Sequence, residues 1–267
     1  MKNLVEELRQ NEKQWVTEMG AWFPGERVVF RGKDLLTDLL TLDFAQIIYF
    51  AVNGKIYKDE ILNFMSTANT VCSSFPEPRL WNNRVAALAG TTRSTGTLAL
   101  AAATAVSEAT VYGKRPDIRS NDFIRRANRK IEDGDTIENV VESELKKYRA
   151  LPGFGRPVTN QDERIKPLLE NARKAGVADG KHLKLAFEIE KYLIEKRRRF
   201  KLNVDGVLSA IAADLEMSPR EYYMFCLLSF SAGIFACYLD ALDHGEGEFF
   251  PFSVERINYK GEAKRSW

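Results

Sequence analysis

The loop at residues 152–157, PGFGRP, combines backbone freedom with a fixed positive charge. Gly153 and Gly155 flank the aromatic Phe154, and glycine lets a backbone approach a ligand closely because it has no Cβ. Arg156 adds a guanidinium, which could polarise a carbonyl or bind a carboxylate but cannot shuttle protons as an imidazole does. Two interpretations are open, an ordinary turn and a ligand-binding loop, and the turn is the commoner outcome for such a segment.

Asp205 stands two residues after Asn203, where an apolar helix is predicted to begin. An aspartate at a helix start commonly accepts hydrogen bonds from backbone N–H groups that lack a partner inside the helix. On spacing alone, we therefore interpret Asp205 as an N-cap.

Four consecutive basic residues, 196–199 (KRRR), end another predicted helix. Positive charges at a helix C-terminus offset the helix dipole, so the spacing favours a solvated last turn. The alternative is a phosphate clamp, because guanidinium groups bind phosphates bidentately. Arg197, Arg198 and Arg199 are the candidates for that role.

Histidine is scarce, since the 267 residues contain only His182 and His244. This count excludes a His-rich metal site and any mechanism that needs two catalytic imidazoles besides a structural one. Neither histidine has a cysteine, histidine or carboxylate at ligand spacing, so we predict no metal site. Helix packing is the favoured role for His182 and a loop position for His244. The motifs GxGxxG, GxxxxGKS/T and GxSxG are absent, which removes the usual supports for nucleotide phosphates and serine hydrolysis.

The composition is that of an average globular protein, with 45% hydrophobic and 28% charged residues. A formal net charge of +2 gives no bulk attraction to nucleic acid. Three cysteines without a CxxC pattern argue against a disulfide framework. The charged N-terminus lacks the apolar core of a signal peptide, and no stretch reaches the ~18 apolar residues of a membrane span. We therefore expect a reduced, cytoplasmic protein that binds neither nucleic acid nor membrane.

Helices are predicted for most of the chain, with one short strand or extended segment at residues 26–32. Residues 97–112 (TLALAAATAVSEATVY) are apolar on nearly every face, which is typical of a helix buried on all sides. The middle of the chain is much more charged than both flanks. This alternation predicts a discontinuous large domain, 1–113 and 204–267, with a smaller helical domain, 114–203, inserted in it.

Six segments, taken in order, resemble the citrate synthase family, and most of all its short, citryl-CoA lyase-like members. The first three are FRGKDL (30–35) with LDFAQIIYFAVNGKIYKDEILNF (42–64), PEPRLWNNRVAALAGTT (76–92), and the loop LPGFG (151–155) with Asp162 and Arg164 downstream. The other three are Asn203-Val204-Asp205, the helix from Ala232-Gly233 to Tyr238-Leu239-Asp240, and Tyr259-Lys260-Gly261. The likeness covers roughly residues 27–261.

The resemblance implies an all-α, citrate synthase-like fold, in which a small helical domain closes over a cleft and the protein is a homodimer. It also implies acyl-CoA chemistry, a Claisen condensation between an acyl thioester and a keto acid or other carbonyl acceptor, or its reversal. That chemistry needs a base, an enolate stabiliser and an activator of the electrophile. The resemblance implies no cofactor, and it implies a coenzyme A thioester as the substrate.

Residue by residue, the resemblance places Asp205 on the general base that removes the α-proton and Arg164 on the arginine that binds a keto-acid carboxylate. Arg256 is matched to the tail arginine that reaches the active site of the partner subunit. The backbone of residues 153–155 falls where the CoA chain is held. The basic residues 197–199 lie where a CoA phosphate could reach.

The family's active-site histidines are not retained at the matching positions. The loop histidine that polarises the ketone is Arg156 here, and the enolate-stabilising histidine falls near Tyr112, which could donate one hydrogen bond. The first substrate-binding histidine has no counterpart near Arg79, and Phe230 replaces a further substrate arginine, which suggests a less charged acceptor. The predicted site is therefore Asp205, Arg156 and Tyr112 for catalysis, with Arg164, Arg256, Arg79 and Phe230 for substrate.

Three hypotheses follow for the function. The first is a divergent enzyme that makes or breaks a C–C bond next to a carbonyl in an unusual substrate. The second is a non-catalytic relative that binds a ligand or regulates as a dimer. The third is an unrelated helical scaffold in which the order of the motifs is a coincidence.

Overall fold

The computed structural model describes residues 4–12, 15–110, 113–156, 161–248 and 253–262, and most of them are helical. The α-helices are α1 (Leu4–Asn11), α2 (Phe44–Asn53), α3 (Asp59–Val71), α4 (Trp81–Thr91), α5 (Gly96–Val106), α6 (Arg115–Glu132), α7 (Ile137–Tyr148), α8 (Ile165–Lys174), α9 (Lys181–Glu195), α10 (Val204–Asp214), α11 (Pro219–Leu227) and α12 (Ser231–Asp243). Short 3-10 helices lie at Leu228–Phe230 and Val254–Arg256. The predicted all-α class is confirmed.

A small antiparallel sheet precedes the core helices. Its strands, in spatial order, are β1 (Gly20–Phe23), β2 (Arg27–Phe30) and β3 (Lys33–Asp34). The predicted extended segment corresponds to β2, whereas β1 is exposed along its whole length and therefore lacks an apolar alternation that could predict it. Arg31 donates hydrogen bonds to the carbonyl oxygens of Ala51 (2.9 Å) and Val52 (3.3 Å), and so ties the sheet to the C-terminal end of α2, where helix carbonyls lack partners.

The main hydrophobic core is centred on α10. Its residues Val207, Ala210 and Ile211 are each no more than 1% exposed. The same apolar cluster contains side chains from α3, from α6 to α9 and from α11. The charged middle of the chain therefore shares one core with its flanks, and the division into two domains stays a prediction.

Helix α5 covers part of the segment that was predicted to be buried on all sides, and that prediction is wrong for the described residues. Ala99 and Ala103 are at most 3% exposed, and Ala103 packs with residues of α4 and α12, but Leu98 is 65% exposed. An alanine-rich sequence is apolar on every face, but in the single chain α4 and α12 cover only one side of α5. The other side, with Leu98, is exposed. Residues 111 and 112 lie outside the described residues.

The segment Pro219–Asp243 is a continuous helical stretch of 25 residues, in which a 3-10 turn joins α11 to α12. Its length and composition are sufficient to cross a membrane, contrary to the expectation that no such stretch exists. The core helix of a globular protein passes the same test. Here α11 packs on α6, and α12 packs on α4 and α5, so the stretch forms part of the helical core.

Helices α6 and α10 lie side by side and begin at the same end of the molecule. The Oγ atoms of Ser120 and Ser209 are 2.7 Å apart, and Asn121 Nδ2 donates to the Ser209 carbonyl at 2.8 Å. About one turn earlier on both helices, the side chain of Asp117 is within hydrogen-bonding reach of Asp205. Asp117 pairs with Asp205 and the later Ser120 with the later Ser209, so the two helices run parallel. Their N-termini therefore lie side by side.

The glycine loop is fastened to the segment that leads into α10. The Gly153 carbonyl accepts from Asn203 N at 3.1 Å, Gly155 N donates to the Lys201 carbonyl at 2.6 Å, and Asn203 Nδ2 donates to the Gly155 carbonyl at 2.9 Å. Gly153 has a φ of +83°, and a Cβ there would lie 2.8 Å from Gly206 Cα. Two glycines thus let the loop and the helix touch backbone to backbone.

Gly153→Ala tests this contact against a matched control, Gly134→Ala. Both glycines have positive φ, +83° and +92°, but a Cβ at Gly134 would meet nothing within 4 Å. We expect Gly134→Ala to lower the free energy of unfolding by about 1–2 kcal/mol, because of its left-handed backbone. Gly153→Ala should lose about 1–3 kcal/mol more through overpacking. Urea denaturation of both variants measures the difference, and equal losses would contradict the close packing.

Candidate active site

Asp205 is the second residue of α10 and does not cap it. Asn203 is the N-cap, and its Oδ1 accepts from Gly206 N at 2.9 Å. A second N–H of the first turn, that of Val204, donates to Asp162 Oδ2 at 3.0 Å. The interpretation of Asp205 as the cap is wrong, because Asn203 has the extended backbone from which a short side chain reaches back to the helix start. The Asp205 carboxyl is therefore available for other interactions.

Two helices, α11 and α6, bring polar groups to the Asp205 carboxyl. From α11, the Tyr222 hydroxyl donates to Asp205 Oδ1 at 2.9 Å. From the first turn of α6, the Asp117 carboxyl lies within hydrogen-bonding reach, and the charge of Lys114 is close enough to act on Asp205. We call these four residues, Lys114, Asp117, Asp205 and Tyr222, the Asp205 cluster.

Burial raises the pKa of Asp205 well above its usual range, and the Asp117 carboxyl raises it further. The ammonium of Lys114 and the hydrogen bond from Tyr222 act in the opposite direction without reversing the shift. Two adjacent carboxyls cannot both ionise without strong repulsion. Asp205 therefore retains its proton to a higher pH than an ordinary aspartic acid, and it is a stronger base once that proton has left.

Lys114 and Asp117 form a buried ion pair at the start of α6. Lys114 Nζ lies 3.0 Å from Asp117 Oδ2, and the two side chains are 13% and 6% exposed. The same Nζ is 5.0 Å from the centroid of the Phe230 ring. Burial alone would lower the pKa of Lys114, but the neighbouring Asp117 carboxylate outweighs burial and the pKa is raised. Lys114 is therefore an ammonium at neutral pH.

Two buried thiols beside the cluster, and Tyr222 within it, are neutral. Burial raises the pKa of the thiols of Cys72 and Cys226. Burial and the neighbouring Asp205 raise the pKa of Tyr222. A thiol acts as a nucleophile in its thiolate form, so these buried cysteines are poor nucleophiles. Tyr222 keeps its proton and serves as a hydrogen-bond donor.

Arg156 and Arg164 meet beside the first turn of α10, and their predicted roles stay predictions. Arg164 binds the buried Asp162 carboxylate through Nε (2.8 Å) and Nη2 (2.9 Å). Arg156 Nη1 lies 3.6 Å from the same carboxylate and 2.8 Å from Glu163 Oε2. Burial of Asp162 acts to raise its pKa, but the bonds from Arg164 and from Val204 N outweigh it, and the pKa is lowered. Both arginines therefore already have carboxylate partners.

The basic run at residues 196–199 is exposed at the end of α9. Lys196 Nζ pairs with Glu138 Oε1 at 2.7 Å, and Arg198 Nη2 lies 3.1 and 3.2 Å from the Glu142 carboxylate oxygens. These contacts match the solvated last turn that the spacing favours. The phosphate clamp of residues 197–199 stays a prediction.

The other predicted substrate residues are scattered. Phe230 is close to the cluster through Lys114. Arg79 pairs with Glu77 and its side chain is 84% exposed, so it lies at the surface and not among the buried groups around Asp205. Arg256 lies on an exposed 3-10 helix of the tail. Tyr112 lies outside the described residues.

Neither histidine belongs to the Asp205 cluster. His182 Nδ1 lies 2.8 Å from Asp214 Oδ1, at the far end of α10, about 13 Å along the helix axis from Asp205. His244 is exposed, with Nδ1 2.7 Å from the Asp240 carbonyl oxygen, and that hydrogen bond raises its pKa. Among the residues that the structure describes, no three His, Cys, Asp or Glu side chains are grouped to hold a metal ion.

Lys114, Asp117 and Tyr222 were missed by the sequence reasoning. One signal was available, because the basic Lys114 and Arg115 stand at a helix N-terminus, where positive charge opposes the helix dipole. Tyr222 gave no signal, since an aromatic residue on an apolar helix is most often core. A cavity of about 420 Å³ opens beside this helix start, lined by Thr110, Arg115, Pro116 and Arg119.

The chain matches no protein-family model and no curated protein. Its fold is similar to citryl-CoA lyase from Hydrogenobacter thermophilus, with a TM-score of 0.82 and 21% identity over 96% of this chain and 98% of that one. An ATP citrate lyase mutant from Methanosaeta concilii, in complex with (3S)-citryl-CoA, has a TM-score of 0.74 and 20% identity over 99% of this chain and 45% of that one.

Citrate synthase from the archaeon Thermoplasma acidophilum, in a ternary complex with carboxymethyl coenzyme A and oxaloacetate, has a TM-score of 0.63 and 17% identity. The match covers 84% of this chain and 58% of that one. These similarities confirm the citrate synthase-like fold that the order of the sequence motifs predicts.

Asp205→Asn should stabilise the protein increasingly as the pH rises. A carboxyl with a raised folded-state pKa contributes stability that is present at low pH and is lost as the pH rises through that pKa. Asparagine cannot ionise, so the variant avoids this loss despite the nearby Asp117, Lys114 and Tyr222. Thermal unfolding from pH 5 to 9 should show a growing advantage over wild type, whereas exposed Asp179→Asn should show none. A variant that loses stability relative to wild type as the pH rises would refute the shift.

Proposed function

We propose that this protein forms or cleaves a C–C bond between an acyl-CoA, or another acyl thioester, and a carbonyl acceptor, with Asp205 moving the proton at the α-carbon. The carrying observation is the Asp205 carboxyl itself, held at the start of a core helix with a raised pKa and a tyrosine donor 2.9 Å away. The fold it shares with citryl-CoA lyase and citrate synthase supports this reaction class.

The acceptor is proposed to lie on the side of Arg156 and Arg164. Their guanidiniums share the Asp162 carboxylate, and Arg164 is about one third exposed. A substrate carboxylate could bind the outer face of this pair, because a guanidinium has five N–H donors and Asp162 uses few of them. Phe230 contributes an apolar wall near Lys114 and supports a less charged acceptor.

The CoA chain is proposed to pass residues 153–155. The N–H groups of Phe154 and Gly155 already donate to the carbonyls of Leu151 and Lys201, at 3.1 and 2.6 Å. A CoA chain would therefore make van der Waals contacts with this loop and no hydrogen bonds to those two N–H groups. Residues 197–199 are the proposed contacts for a CoA phosphate, since they are exposed at the end of α9.

Asp205→Asn tests the proposed reaction directly. Wild-type protein would be assayed with acyl-CoAs and keto acids in one direction and with (3S)-citryl-CoA in the other, by following the thioester. Removing the group that moves the proton should lower kcat by about 10²- to 10⁴-fold. Asp179→Asn serves as the control and should keep the wild-type rate. Equal rates for wild type and Asp205→Asn would eliminate the role of Asp205.

A second candidate is a ligand-binding or regulatory dimer without catalysis. It is favoured by the distance of both histidines from Asp205, and by the carboxylate partners that already occupy Arg156 and Arg164. It predicts no turnover with any substrate, together with a rise in melting temperature when CoA or citrate is added, since a ligand that binds the folded state stabilises it.

A homodimer is proposed from an apolar surface on α5 and α12. Leu98, Phe235 and Leu239 are 65%, 51% and 58% exposed, and they lie on helices that pack together. A large exposed apolar patch on a single chain typically marks an interaction surface. Arg256, on the exposed tail, could then reach the partner's site as the sequence motifs imply.

Leu239→Glu should convert the proposed dimer to monomer, because it buries a charge in the apolar interface. Leu36→Glu is the matched control, since Leu36 is also 58% exposed but belongs to neither α5 nor α12. Sedimentation velocity measures both masses. A wild-type monomer, or a Leu239→Glu dimer as stable as wild type, would overturn the proposed surface.

A further inference from the structure

Lys114 places a buried positive charge beside Asp205 that the sequence motifs do not account for. Its backbone N donates to the Ser107 carbonyl at 2.7 Å, which fixes the chain where α6 begins. Its side chain is 13% exposed and ends 3.0 Å from Asp117 Oδ2. The lysine therefore extends inward, towards the face that α6 presents to α10.

The ion pair with Asp117 leaves most of the ammonium unused. Asp117 Oδ2 is close to Nζ, yet it receives no hydrogen bond of good geometry from the part of the chain that is described. An ammonium has three N–H donors, and Asp117 is the carboxylate paired with Lys114 among those residues. The described residues thus leave at least two of its donors for another acceptor.

Stability alone gives a weak reason for this lysine. The cost of removing two charges from water largely offsets their attraction, so a buried ion pair adds little compared with apolar side chains of similar size. The ammonium also lies at the N-terminus of α6, where the positive end of the helix dipole repels it. Both considerations favour a role in binding negative charge.

We propose that the ammonium of Lys114 binds the carbonyl oxygen of the acyl thioester as that oxygen becomes an enolate, in place of the imidazole that is missing here. This inference rests on the proposed function. Lys114, Asp117 and Asp205 lie together where two helix N-termini meet, and the centroid of the Phe230 ring is 5.0 Å from the ammonium.

The step that Lys114 assists is balanced within the cluster. The Asp205 carboxylate takes a proton from the α-carbon, the C–H electron pair becomes the C=C bond, and the carbonyl π pair moves onto oxygen. Lys114 donates a hydrogen bond to that oxygen and keeps its own proton. The reverse step returns the proton from Asp205 to carbon.

The neighbouring groups keep Lys114 suited to this task. The Asp117 carboxylate holds the pKa of Lys114 above its ordinary value, so the amine is neither a nucleophile nor a base at neutral pH. Asp117 acts as a positioning residue, because it holds the ammonium beside Asp205. A fixed charge close to a developing oxyanion is the type of preorganised group that contributes most to such reactions.

The first test compares binding of two non-reacting probes. Carboxymethyl-CoA carries a negative charge where the enolate oxygen would form, and carbamoylmethyl-CoA is its neutral amide of the same shape. Calorimetry gives the ratio of their affinities for wild type, Lys114→Gln and Lys181→Gln. Lys181→Gln is the control, because it removes a lysine from a surface ion pair with Glu132 at 2.7 Å.

We expect Lys114→Gln to lower the preference for carboxymethyl-CoA by about ten- to a hundredfold, since hydrogen bonds to charged groups are of that strength. Lys181→Gln should keep the wild-type preference. If Lys114→Gln does not fold, the double variant Lys114→Gln/Asp117→Asn removes both charges of the pair and should lose the preference equally. A preference kept by the folded variant overturns the role of Lys114.

The second test follows exchange of the α-protons of acetyl-CoA in D₂O, which needs no acceptor. We expect wild-type exchange that falls by about 10²- to 10³-fold in Lys114→Gln. Exchange that persists in Lys114→Gln but is lost in Asp205→Asn overturns the role of Lys114 and leaves the proposed function standing. No exchange by wild type overturns both.

Discussion

The contact between the first two turns of α6 and those of α10 is the constraint on which the candidate site depends. Ser120 and Ser209 join the two helices at 2.7 Å, and Gly153 lets the neighbouring loop touch the backbone of Gly206. Because both helices begin there, both dipoles present their positive ends to one small volume. A side chain at either glycine would separate the loop from α10 and displace the start of the helix that carries Asp205.

Charge balance is the second organising feature. Two carboxyls, Asp117 and Asp205, share a buried space with one ammonium, and Tyr222 adds a neutral donor. The carboxyl pair is unfavourable for folding, because its ionisation is opposed by burial and by repulsion. Proteins typically tolerate such a loss of folding free energy where the groups serve binding or catalysis. The large apolar core around α10 offsets it here.

Both histidines lie away from Asp205. His182 is held by Asp214 at the opposite end of α10, and His244 is exposed at the end of α12. The cations near Asp205 are lysine and arginine, whose charges are fixed at neutral pH, so they can bind negative charge but cannot relay protons. Under the proposed function, proton transfer falls to Asp205, and the other groups set how firmly it holds its proton.

The sequence alone determined the local secondary structure of this protein and the order of its motifs. The helical class, the extended segment at β2 and the glycine loop are encoded by neighbouring residues, and the order of the motifs along the chain predicts the fold. Only the tertiary structure decided that Lys114 and Asp117 stand beside Asp205, that Asn203 caps α10, and that Leu98 is left exposed on α5. Propensity and periodicity report on residues within a turn or two, whereas these contacts depend on how distant helices pack.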